Sequence, residues 1–163
     1  MPDTFSAIPV GETHVVPSAA PNLGELLSAE MAGRVTYALA SDRVELLRQV
    51  EEEHRGAAEA LRACLRQNGT EAPAHATALG VWAAAARAAV AGELPALLKS
   101  LHQAEQAVFK TYEASLPLLD PASARVVQHK LIPAQSRRVR LLTQLLTSRY
   151  EKASDMERRG HTI

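Results

Sequence analysis

Four strongly polar residues, Glu30, His54, Glu105 and Arg138, stand where a helical core calls for apolar side chains. At about 100° per residue, each interrupts an apolar stripe. Glu30 shares a face with Leu23, Leu26, Leu27 and Tyr37, and His54 with Leu47, Val50, Ala58, Leu61 and Leu65. Glu105 falls among Leu94, Leu98, Leu101, Phe109, Tyr112 and Leu116, and Arg138 among Val127, Leu131, Ala134 and Leu142. Carboxylates and an imidazole in such places either ligate a divalent metal or compensate one another as buried ions. Two unpaired carboxylates about 5 Å apart repel by roughly 3 kcal/mol at an effective dielectric near 20. The neutralising partner is a metal, protons, or the cations Arg138 and protonated His54.

The spacing Glu51-x-x-His54 puts a carboxylate and an imidazole on one helix face, as carboxylate-bridged metal bundles do. Its counterpart in the last helix reads Gln135-x-x-Arg138. If a metal is held, the ligand set is Glu30, Glu51, His54 and Glu105. His102, one turn before Glu105, is a further imidazole within reach if its helix rotates. If none is held, the core is an ion-pair network of Glu30, His54, Glu105, Gln135 and Arg138, with Tyr37 and Tyr112 nearby. Glu30 precedes Tyr37 by the same seven residues as Glu105 precedes Tyr112, so the two helices read as pseudo-symmetric counterparts. A two-metal site collects four carboxylates and two histidines. The fixed charge of Arg138 therefore favours the metal-free reading, with no cofactor; iron, manganese or zinc is the alternative. Glu52 and Glu53 are expected to point to water, and His129 lies opposite Arg138. His14, His75 and His161 fall in segments without periodicity.

These residues need helices to position them. Asn22 with Glu25 makes a capping-box start for a helix over 22–40. Ser41 is expected to cap a second over 42–67, closed by Asn68-Gly69. A shorter alanine-rich helix over 78–91 carries Trp82, which packs it on the rest. A third long helix over 95–116 follows, and Asp120-Pro121 opens a fourth over 121–150, which Pro133 should kink. Residues 1–21 read as a flexible arm, and 151–163 as a charged, frayed tail.

Composition narrows the functional classes. Lysine plus arginine balances aspartate plus glutamate at 18 each, leaving no net field to attract nucleic acid or an anionic membrane surface. No apolar run has bilayer-spanning length. The single Cys64 reads as a buried apolar residue, and with no signal-like start the expected compartment is cytoplasmic. No nucleophile triad, phosphate loop or cysteine metal cluster is present.

The segments LLSAEMAGRVTYALA, EEEHRGAAEALR and LIPAQSRRVRLL, with Trp82 and the stretch from Glu105 to Tyr112, carry a resemblance. Over residues 23–146 the chain resembles an uncharacterised bacterial family of small ferritin-like four-helix bundles. The resemblance implies an all-α, antiparallel ferritin-like four-helix bundle, with one additional helix between the second and third long helices. It implies no assigned reaction, and that family usually carries histidine where Arg138 stands here. The reading is a non-enzymatic bundle with a degenerate core site and a structural or binding role. A metal-binding protein is the alternative, and a partner-docking module a third reading. Self-association, as a dimer through alanine-rich Ala83 to Ala91, is expected.

Overall fold

The structure, a computed structural model, describes residues 22–160 apart from Arg43 and Thr77. The arm expected over 1–21, with His14, lies outside the described residues, as does His161. The described residues are all-helical, without strands. In chain order they form α1 (Leu23–Ala40), α2 (Glu45–Gln67), a 3-10 turn (Gly80–Trp82) leading into α3 (Ala83–Ala91), and α4 (Leu94–Ser115). A second 3-10 turn (Leu116–Leu118) precedes α5 (Pro121–Val126), which passes through a π-turn (Val127–Leu131) into α6 (Ile132–Gly160). None of these helices is long and apolar enough to cross a membrane.

Local chemistry explains most of the boundaries. Asn22 accepts from the Glu25 N–H at 3.0 Å, and the Glu25 carboxylate accepts from the Asn22 N–H at 3.3 Å, a reciprocal box that satisfies two otherwise unpaired donors. Gly69 and Gly92 close α2 and α3 at φ +67° and +75°, a conformation that costs glycine little. Asp120 caps α5 through the N–H groups of Ala122 and Ser123, and Pro121 takes the first-turn position where its missing N–H costs nothing.

Two boundaries differ from those expected, and the segment before Pro133 takes a π-turn. Ser41 does not cap α2, because its hydroxyl turns back to the Ala38 carbonyl at 3.1 Å. The extended residue Val44 begins that helix without a side-chain cap. Pro133 is accommodated by the π-turn just before it, where the Ile132 N–H reaches back to the Val127 carbonyl. A five-residue turn makes room for the proline ring. The last helix does not end near 150 but continues to Gly160, because 151–159 contains neither proline nor glycine to stop it.

Packing joins α1 to α2 and α4 to α6, with α1 also touching α4 and α3 laid across α1 and α4. The shared core is built from leucines, among them Leu26, Leu27, Leu47, Leu61, Leu98, Leu101 and Leu142, all buried together with Cys64. Each such leucine contributes about 1.5–3 kcal/mol. On α4 the stripe is turned toward Leu97, Ala104 and Val108, leaving Leu94, Phe109 and Leu116 half-buried. On α3, Ala85, Ala86, Ala88 and Ala89 are buried within the chain, whereas Ala84, Val90 and Ala91 are exposed. Trp82 is fully buried and donates to the Ala29 carbonyl at 2.9 Å.

Gly33 explains how that indole fits. A Cβ there would meet Trp82 Cζ2 at 2.8 Å and the His54 ring at 2.9 Å, two rigid groups that cannot bend away. Gly56, on α2, would meet nothing within 4 Å. Helix propensity favours alanine over glycine at both sites by up to about 1 kcal/mol. We expect Gly56→Ala to stabilise the fold by about that amount, and Gly33→Ala to destabilise it by about 1–3 kcal/mol through overpacking. Urea unfolding of the two variants checks this; equal, stabilising effects would show that Gly33 is not a packing seat.

Candidate functional site

Each of the four long helical segments delivers one charged side chain to the same buried point: Glu30 from α1, His54 from α2, Glu105 from α4 and Arg138 from α6. Tyr37, Tyr112 and Gln135 complete the cluster, and all seven residues are buried.

The two carboxylates have matching sets of partners. Glu30 accepts from the Tyr112 hydroxyl at 2.5 Å and from Arg138 Nη2 at 3.1 Å, and its second oxygen lies 2.6 Å from His54 Nδ1. Glu105 accepts from the Tyr37 hydroxyl at 2.7 Å and from Arg138 Nε at 3.4 Å, and lies 3.1 Å from His54 Nε2. The seven-residue echo is thus cross-wired: each tyrosine bonds the glutamate of the other helix. Gln135 Nε2 donates to Glu105 Oε2 and to the Glu105 backbone carbonyl at 2.8 Å. Its amide oxygen accepts from Arg138 Nη2. Every carboxylate oxygen in the centre therefore has a donor, as burial demands.

The protonation state follows from this wiring. Both ring nitrogens of His54 face carboxylate oxygens, which only accept, and an imidazole donates from both nitrogens only as the cation. Two carboxylates then face one imidazolium and one guanidinium, and the formal charges cancel. Burial alone would raise the Glu30 pKa, but the charges of Arg138 and His54, with the bonds from His54 and Tyr112, bring it down to about 2 from its ordinary 4.5. Glu105 is likewise lowered: burial opposes, but His54, Arg138 and Tyr37 prevail. Burial and the Arg138 charge push His54 down, yet Glu105 and Glu30 outweigh them and hold it above its ordinary 6.5. Burial, then the facing carboxylates, raise both tyrosines well above 10, so they remain neutral donors.

Other side chains fall elsewhere. Glu51 does not join the centre; it is half-buried on α2, 4.0 Å from Arg34. His102 is half-buried and hydrogen-bonds Thr143, away from the carboxylates. His75 and His129 are exposed. Glu52 faces water beside Arg55, but Glu53 does not: its Oε2 is buried, 4.0 Å from Arg138 Nη1. The guanidinium enters from α6 with its outer nitrogen toward α2, and that charge draws in the residue next to His54. Among the described residues neither Glu53 Oε2 nor Arg138 Nη1 has a hydrogen-bond partner, so this edge of the network lacks a direct bond.

Trp82 and Gly33 are the further members that stripe-reading missed. The indole meets the His54 ring edge-on, with centroids 5.2 Å apart, and Tyr37 at 5.8 Å, walling the imidazole from solvent. A glycine on the Glu30 and Tyr37 face of an otherwise good helix was the available signal for that seat.

The donor set falls short of a two-metal centre. With Glu51 outside, three ligand-type side chains remain, Glu30, His54 and Glu105, and the second Glu-x-x-His is occupied by Gln135 and Arg138. The carboxylates bracket opposite nitrogens of one imidazole, and their remaining oxygens converge on a guanidinium. Among the described residues no group of three or more His, Cys, Asp and Glu side chains is arranged to hold an ion. Compared with known protein families, curated proteins and solved structures, the chain matches none.

The network has a pH signature. Glu30, lowered on folding, contributes stability that is complete above 4.5 and lost as pH falls toward about 2. His54, raised on folding, contributes stability that is complete below 6.5 and lost as pH rises through its higher folded value. We expect thermal stability to peak between pH 4.5 and 6.5. His54→Gln should be less stable throughout and should lose the decline above 6.5. Melting curves of both proteins across pH check this; parallel alkaline limbs would refute the assignment to His54.

Proposed function

We propose that the chain is an antiparallel ferritin-like bundle whose central site is a self-neutralised ion network, serving a structural or binding role without catalysis. The observation that carries this reading is Arg138, whose guanidinium donates to both central carboxylates. A metal in a ferritin-like centre supplies positive charge between carboxylates of different helices. Here an arginine that stays charged at any working pH supplies it. A divalent ion brought to Glu30 or Glu105 would meet that charge at hydrogen-bond range, and would have to displace His54 from its carboxylates to gain an imidazole ligand. Neutral tyrosines and a caged imidazolium leave no free base, nucleophile or open coordination position, which supports a role outside catalysis.

The adjacency of Glu30, His54 and Glu105 supports the alternative, a metal-binding protein, and one experiment separates the two. Titration of protein purified without chelator with iron(II), manganese(II) and zinc(II) should give no stoichiometric tight binding. Arg138→His, which restores an imidazole and removes the fixed charge, should gain it. Arg138→Ala should instead strand two buried carboxylates and cost roughly 3–5 kcal/mol of stability. Stoichiometric metal in the unaltered protein, held through Glu30, His54 and Glu105, would establish the alternative.

A further inference from the structure

Away from the network, a concavity of about 120 Å³ opens between α1 and α2, where the 74–76 segment passes over them. Its polar wall is entirely basic: Arg34 from α1, Arg55 and Arg62 from α2, and His75 from the connecting segment, with Met31 on its apolar side. No aspartate or glutamate lines it, although the chain as a whole has no net charge. Arg34 and Arg55 have counter-ions outside the wall, Glu51 at 4.0 Å and Glu52 respectively. Arg62 differs. Among the described residues its guanidinium has one hydrogen bond, to the Met31 thioether at 3.0 Å, and no carboxylate partner. A thioether is a weak acceptor, so a part-buried cation faces the concavity with most of its five donors unused.

We propose that this concavity binds a single phosphate-class oxyanion. Three guanidinium groups approaching from two helices suit a tetrahedral anion with oxygens in several directions, and each planar fork offers charge-assisted bonds to it. The volume accommodates one such group, and the concavity is open to solvent on its outer side. Inorganic phosphate and the terminal phosphoryl group of a small molecule present the same chemistry. The site is independent of the reading of the core, since none of its residues bonds to the network.

Calorimetric titration of the full chain tests it, using inorganic phosphate and separately phenyl phosphate, at ionic strength held constant with chloride. Saturable binding with one site per chain is expected. Arg62→Ala should weaken it about tenfold, the loss of one charge-assisted contact. Arg48→Ala, an exposed α2 residue paired with Glu45, should leave it unchanged. Because Arg62 covers Met31, the double variant Arg34→Ala/Arg55→Ala, which alters only more exposed arginines, serves as a second probe and should also weaken binding. Stronger binding of the ester assigns the site to a phosphorylated small molecule, and equal binding to the phosphate group alone; both sustain the proposal. Absence of saturable binding, or equal affinity in the Arg62 and Arg48 variants, would overturn it.

Discussion

Two carboxylates held at the centre of a hydrophobic core constrain everything around them. Glu30 and Glu105 cannot remain there as anions without compensation, and His54 and Arg138 supply it from the two other long segments. Once those four are in place, the rest of the centre follows. Tyr37 and Tyr112 saturate the remaining lone pairs, Gln135 ties Glu105 to the arginine, and Trp82 walls the imidazole. Gly33 is a glycine because the imidazole and indole rings occupy the space a side chain would need.

Such a network is a poor way to gain stability in bulk. Desolvation of buried ions consumes most of their mutual attraction, and an apolar replacement of the same shape is often at least as stable. The leucine layers above and below supply the burial free energy. What the ions add is register. Each long segment carries one member, so sliding any one of them by a turn would leave a buried charge unpaired, an error several kcal/mol worse than a misplaced leucine. The bond from Asn68 at the end of α2 to Asp120 at the start of α5, at 2.8 Å, fixes the same alignment at one end.

Much of this was legible in the sequence, and the limits have physical causes. Glu30, His54, Glu105 and Arg138 could be read because helical periodicity has one free parameter, and an ion on an apolar stripe stands out against it. The caps at Asn22 and Asp120 were legible because their chemistry is local. Ser41 misled because a serine hydroxyl bonds a preceding carbonyl as readily as it caps a following helix. The π-turn that precedes Pro133 was not legible, because no residue pattern announces it. Glu53, not Glu51, turns a carboxylate oxygen toward the network, because angular position on one helix does not say which neighbour lies opposite. The guanidinium from α6 lies opposite Glu53, and Arg34 on α1 lies opposite Glu51. Trp82 was expected to pack its helix on the others, but which rings it would cover depended on an arrangement in space that spacing does not encode.

The central claim is that the core is neutral because His54 is an imidazolium bridging two ionised glutamates. Nitrogen-15 NMR of the His54 ring at neutral pH reads this directly. The account predicts both ring nitrogens protonated, each with its own slowly exchanging N–H, above the pH at which a free histidine has lost its charge. A neutral ring with one unprotonated nitrogen would contradict it, and would mean that a glutamate carries the proton instead.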